Sequence, residues 1–194
     1  AIQNGAPIFS MSASFQVEES GFDHQDEMPE VEGPEGLLSE LELARKNADR
    51  IPAFFRERAL AARPIEIRPV RPDTPLRPKA GPPRRQVWYR ASGPLGEDPF
   101  VHQYLLAYAS DFSFLGTAMQ PHAVSWLTPG MQVASLDHAM WFHRPFRFDD
   151  WILYDIDSPS ASGARGLVRG RFFTRDGKLV ASAVQEGLIR KHDT

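Results

Sequence analysis

From Arg84 onward the apolar positions follow two different periods. QVWYRA reads as a strand from its β-branched and aromatic content. After Asp98-Pro99, the residues Val101, Leu105, Tyr108, Phe112, Leu115 and Met119 recur at intervals of four and three, which predicts a helix with one apolar stripe along about five turns. Four strand-like segments follow: QVASLDHAMWFHR, WILYDIDSPS, ARGLVRGRFFTR and KLVASAVQEGLIRK. A strand, a buried helix and then an antiparallel meander predict an α+β fold in which a sheet curls around one helix.

Facing in the last hairpin follows from its turn. With Asp176-Gly177 as a two-residue turn, Phe172 pairs with Ala181, Gly170 with Ala183, and Val168 with Gln185. These six share one face. The opposite face carries Arg165, Arg169, Arg171, Ser182, Glu186 and Arg190, so it is the wetter side and Gln185 points inward. Gly170, Ala183 and Gly187 leave room beside it for a close helix or a ligand.

The N-terminal half has no such regularity. LSELELARKNADR predicts a short amphipathic helix capped by Ser39, and PAFFRERALAA a second one after Pro52. Asn4-Gly5 is a hairpin signal with only AIQ before it and the strand-like IFSMSASFQV after it, so the partner strand is expected to lie outside this chain. Thirteen of the 17 prolines lie in residues 1–100, seven of them between Pro64 and Pro83. Ten acidic residues and no Lys or Arg fall between Glu18 and Glu42, whereas Arg45 to Arg90 holds thirteen basic residues and four acidic ones. Residues 64–83 are therefore expected to be an extended, solvated connector, whose basic character could also attract a phosphorylated ligand.

Composition removes several classes of function. With a formal charge of −3 and no recognition motif beside the arginines, nucleic acid is not an expected partner. No cysteine is present, so disulfides, thiolate metal sites and a cysteine nucleophile are absent. No apolar run reaches the roughly 18 residues of a membrane span. A cytoplasmic location without membrane insertion is the expectation. No glycine-rich phosphate loop or G-x-S-x-G elbow occurs. His138 and His143, five apart on one strand, face opposite sides and cannot share a metal. Trp141, Phe142, Phe146, Trp151 and Tyr154 are expected to form an aromatic core cluster.

Two polar residues stand where periodicity places the interior. Asp111 lies at the edge of the helix stripe, either as a cap for a second helical half or as a general base. Gln185 is either a satisfied core amide or a group that orients a water.

The segments VHQYLLAYASDFSFLGTAMQPH, VASLDHAMWFHRPF and SASGARGLVRGRFFTRDGKLVASAVQEGLIR closely resemble the second half of the acyl-CoA thioesterase II family, TesB type; RPIEIRPV, RRQVWYRA and the opening AIQNGAPIFSMSASFQ resemble it too. The resemblance implies a double hotdog, with residues 1–17 the end of a first hotdog, 18–83 a linker and 84–194 a complete second hotdog. It implies hydrolysis of medium- to long-chain acyl-CoA by a water held by Asp111, Ser135 and Gln185. No cofactor or metal is expected. Backbone N–H groups around Leu115 and Gly116 are candidates for the oxyanion site, and Ser160, Ser162 and Arg165 for the phosphates of CoA. A homo-oligomer is expected. The competing expectation is a hotdog that binds acyl-CoA without turning it over; a hotdog dehydratase is weaker, since no His and Asp pair stands at the helix start.

Overall fold

The computed structural model describes residues 1–17 and 19–192. A minimal hairpin, β1 (Ile2–Gln3) and β2 (Ala6–Pro7), turns at Asn4 and Gly5, both at positive φ (52° and 77°), the requirement of the tight turn their pair signals. Residues 8–17 form no strand, and Phe15 and Val17 are exposed. A ladder needs a neighbour, and among the described residues none lies alongside. Two short helices follow, α1 (Glu40–Lys46) and α2 (Ala53–Leu60). Ser39 caps α1 in a reciprocal box: its hydroxyl accepts from Glu42 N while Glu42 Oε2 accepts from Ser39 N.

Next come β3 (Ile65–Pro69), β4 (Arg84–Ala91), α3 (Pro99–Ser110) and α4 (Phe114–Met119). The chain then runs through β5 (Met131–Ser135), β6 (Ala139–Phe142), β7 (Ile152–Ser162), β8 (Arg165–Thr174) and β9 (Leu179–Lys191). Among the described residues seven strands form one antiparallel sheet in the order β3-β4-β7-β8-β9-β5, with β6 also on β9. Its concave face wraps α4, which packs against β7, β8 and β9. Leu106, Phe114, Leu115 and Ala118 meet Val87, Tyr89, Tyr154, Val168 and Phe172 there.

Four expectations are corrected. The solvated connector is in part a strand: β3 pairs with β4 from Ile65↔Ala91 to Pro69↔Val87, burying Ile65, Ile67 and Pro69 on alternate positions. Its prolines do no harm because β3 is an edge strand and Pro64 and Pro69 stand at its margins. The acidic stretch before it packs against the sheet as well. Met28, Val31 and Leu37 cover Trp88, Trp151, Leu153 and Phe173 on the convex face, and Trp88 Nε1 donates to Glu32 O at 2.8 Å. Arginines of that face reach the same stretch, as in Arg171 to Asp26 at 2.8 Å.

The aromatic cluster also divides. Tyr154 lies in the concave core and Trp151 in the convex one, while Trp141 and Phe142 are exposed. The single helix stripe is broken and rotated by one position. In α3 the buried residues are His102, Leu106, Ala109 and Ser110, and Tyr108 is exposed. Histidine can face inward because both its ring nitrogens are satisfied: Phe148 N donates to Nδ1 at 2.9 Å, and Nε2 lies 3.2 Å from Gly96 O.

Finally, the β8–β9 loop has three residues, with Gly177 at φ 85° and Thr174 N donating to Lys178 O. Val180 is the extra residue of a bulge that restores the expected pairing at Phe172↔Ala181, Gly170↔Ala183 and Val168↔Gln185. All six of those residues are buried on the concave face.

Candidate functional site

The site begins where the central helix breaks. Ser113 adopts a left-handed conformation, φ 66°, which no α-helix continues through, so α3 ends at Ser110 and Asp111 becomes its C-terminal cap residue. Three bonds pin the break. Tyr154 Oη donates to Ser110 O at 2.8 Å, Tyr89 Oη lies 3.0 Å from Ser113 Oγ, and Ser110 Oγ donates to Ala107 O at 2.7 Å. Burial raises the Tyr89 and Tyr154 hydroxyl pKa values, so both remain neutral hydrogen-bonding groups. Asp111 does not cap α4: the residue in that place is Ser113, with no side-chain cap bond. The Asp111 carboxylate is exposed and reaches β5 instead, where Ser135 Oγ donates to its Oδ1 at 3.3 Å.

Ser135 in turn accepts from Gln185 Nε2 at 2.8 Å. Gln185 is fully buried, at 0% exposure, in the middle of β9. Its other end, Oε1, lies 2.6 Å from Nδ1 of His138, whose Nε2 is 2.8 Å from Ser110 Oγ. A continuous polar line thus runs Asp111, Ser135, Gln185, His138, Ser110, from one side of the helix break back to the other.

His138 is the member that pattern reading missed. The strand expected over QVASLDHAMWFHR is interrupted: Ser135 pairs with Gly187 but Ala139 with Val184, so four steps on this side match three on β9. Leu136 N and Asp137 N both donate to Glu186 O, marking the bulge. In an unbroken strand Ser135 and His138, three apart, would face opposite sides; the extra residue turns both inward. His143 lies on the far face, 2.9 Å from Ser182 Oγ, as its five-residue separation from His138 requires.

Close approach of helix and sheet depends on glycine. A Cβ on Gly166 would stand 2.6 Å from Ala118 Cβ, and one on Gly187 2.3 Å from Leu115 Cδ2. The room left by these small residues is therefore filled by α4. Leu115 and Gly116 lie in the first turn of α4, where helical geometry supplies no carbonyl partner for their N–H groups. The other candidates stand apart. Arg165 lies on the convex face, paired with Glu186 at 3.3 Å, and Ser160 and Ser162 are exposed near the β7–β8 turn. The structure does not bring these three to the Asp111 line. Among the described residues no group of three or more His, Cys, Asp or Glu could hold a metal ion, and no helix is long and apolar enough to cross a membrane.

A family model described as acyl-CoA thioesterase matches residues 55–188, which includes every member of the polar line. The chain belongs to the acyl-CoA thioesterase family. Acyl-CoA thioesterase 2 of Haemophilus influenzae is 42% identical to this thioesterase-family chain over 190 residues, covering 98% of the chain and 66% of the relative. Human acyl-coenzyme A thioesterase 8 is 43% identical over 198 residues, covering 98% and 61%. Among solved structures, acyl-CoA thioesterase II TesB2 from Mycobacterium marinum superposes with a TM-score of 0.66 at 36% identity, over 92% of this chain and 61% of that one. A hot dog fold protein from Alicyclobacillus acidocaldarius gives 0.63 at 14% identity, over 91% and 60%, a likeness of fold alone. The fold is a hotdog. The chain spans 61–66% of the length of the curated relatives named here.

Proposed function

We propose that this chain carries the hydrolytic site of an acyl-CoA thioesterase acting on medium- to long-chain acyl-CoA, and that Asp111, Ser135 and Gln185 hold the attacking water. The observation that carries the reading is the hydrogen-bonded line from Asp111 through Ser135 to a wholly buried Gln185. A carboxylate open to solvent can take a proton from water. Beside it, the serine hydroxyl and the amide N–H groups fix where that water sits. Attack on the thioester carbonyl then moves negative charge to its oxygen, and the N–H groups of Leu115 and Gly116, in the first turn of α4, are the donors assigned to it. In this reading water attacks directly: Ser135 gives its proton to Asp111 and accepts from Gln185, which makes it a holder of the water.

We read residues 1–17 as the end of a preceding hotdog unit, residues 18–83 as a linker that lays Met28, Val31 and Leu37 on the convex face and lends β3 to the sheet, and residues 84–194 as the second unit. The exposed β5–β6 edge, with Leu136, Trp141 and Phe142 on it, supports continuation of the sheet by another hotdog or another copy of the chain. A cytoplasmic homo-oligomer is part of the same reading.

The test uses the protein at its full natural length. Free thiol is measured with octanoyl-CoA and palmitoyl-CoA as substrates, and acyl-CoA binding is followed in parallel by calorimetry. Thiol release is expected, with Ser135→Ala slower by about tenfold, the worth of one such hydrogen bond. Tight binding without thiol release would instead make this a carrier or an assembly subunit.

A further inference from the structure

The polar line contains two residues that the proposed reaction does not use, His138 and Ser110. His138 is held between β9 and the start of α4, with its ring 5.7 Å from that of Phe114 and both nitrogens within hydrogen-bonding distance of partners. We propose that His138 is a positioning residue that acts through Gln185, fixing which end of the buried amide faces Ser135. This rests on the reading of Asp111, Ser135 and Gln185 as the water-holding set.

The argument turns on the asymmetry of an amide. Its oxygen only accepts and its nitrogen only donates, and Gln185, at 0% exposure, has no bulk water to satisfy either end. What faces one end therefore decides what the other end offers. With Nδ1–H of His138 at Oε1, the NH2 group is left for Ser135 Oγ, and the proton of Ser135 is free for Asp111. A ring with a bare Nδ1 would draw the NH2 group to itself. Oε1 would then take the serine proton, and Asp111 would lose its donor. Ser110 Oγ can accept from Nε2–H while donating to Ala107 O, or turn its proton from that carbonyl to a bare Nε2, the form that goes with Nδ1–H. His138 thus sets the direction of every hydrogen bond between β9 and Asp111, although it stands three links from the carboxylate. The bulge after Ser135 is the backbone feature that brings it inward.

The experiment compares His138→Ala, His138→Asn, Gln185→Ala and the double variant His138→Ala/Gln185→Ala in the protein at its full natural length. Thiol release from acyl-CoA gives kcat and KM, and nuclear magnetic resonance gives hydrogen exchange of the Gln185 side-chain NH2. His138→Ala is expected to lower kcat about ten- to a hundredfold with little change in KM. His138→Asn, whose Nδ2 can take the place of Nδ1–H, should recover most of that loss. A residue acting only through Gln185 adds nothing once Gln185 is gone, so the double variant should match Gln185→Ala. Unchanged kcat in His138→Ala, no recovery in His138→Asn, or losses that multiply in the double variant would overturn the proposal. If the unsubstituted protein releases no thiol, the reading of the reaction fails by itself. The exchange measurement still decides the positioning: the NH2 group should exchange slowly in the unsubstituted protein and in His138→Asn and fast in His138→Ala. Equal exchange in all three would refute it.

Discussion

Replacing Asp111 with Asn is expected to slow acyl-CoA hydrolysis by at least about a hundredfold, the low end of what a positioned general base contributes. The substitution is nearly isosteric. Its Oδ1 can still accept from Ser135 Oγ, and its backbone can still serve as the C-terminal cap residue of α3. Because the side chain is exposed, removing its charge leaves no buried partner unpaired, and the thermal midpoint should barely move. Only the capacity to take a proton is lost. Thiol release, measured beside a circular-dichroism melt, separates the two effects. Turnover equal to that of the unsubstituted protein would remove Asp111 from the mechanism.

The largest effect on stability should come from Gly170→Ala. A Cβ there would stand 2.2 Å from Tyr154 Cε2 and 2.8 Å from its Cζ and Oη. Tyr154 cannot step aside. Its ring stacks on Phe172 at 3.8 Å, meets Phe114 and Tyr89, and is fully buried, while Oη holds Ser110 O. Overpacking plus loss of that hydrogen bond should cost about 3 kcal/mol. For a chain of this size that is roughly 6–12 °C in Tm. Calorimetric melting checks it. Adding Tyr154→Leu in the same chain relieves the crowding, so the double variant should lose less than the two single losses combined. Activity should fall with Gly170→Ala as well, since the carbonyl released from Tyr154 belongs to the residue just before Asp111.

The parts of this architecture that could be read in the residues are those governed by local rules. β8 and β9 paired as their turn implied, even though the real loop is one residue longer, because the bulge at Val180 absorbs the difference. Gln185 faced inward for the same reason. The unreadable parts depend on tertiary partners. β3 was hidden by prolines whose cost vanishes at a sheet edge, although the alternation of Ile65, Ile67 and Pro69 was plain. The buried side of α3 was misjudged because an apolar count passes over His102, which a loop carbonyl and a backbone N–H make fit for the interior. His138 needed knowledge of a bulge, and nothing in the alternation of QVASLDHAMWFHR marks one. Ser135 was legible only through family resemblance, since a serine on a strand has many ordinary uses.

The bulge after Ser135 also limits how this part of the chain can change in length. Losing one residue between Ser135 and Ala139 would restore a regular ladder at β9, but it would turn either the serine or the histidine to the convex side. Gaining one would do the same. Only changes in pairs keep both inward, whereas the turn at Gly163 and Ala164 joins two strands neither of which carries a side chain of the polar line. The sheet edge therefore discriminates odd from even. What the fold holds invariant there is the spacing between two side chains as much as their identities.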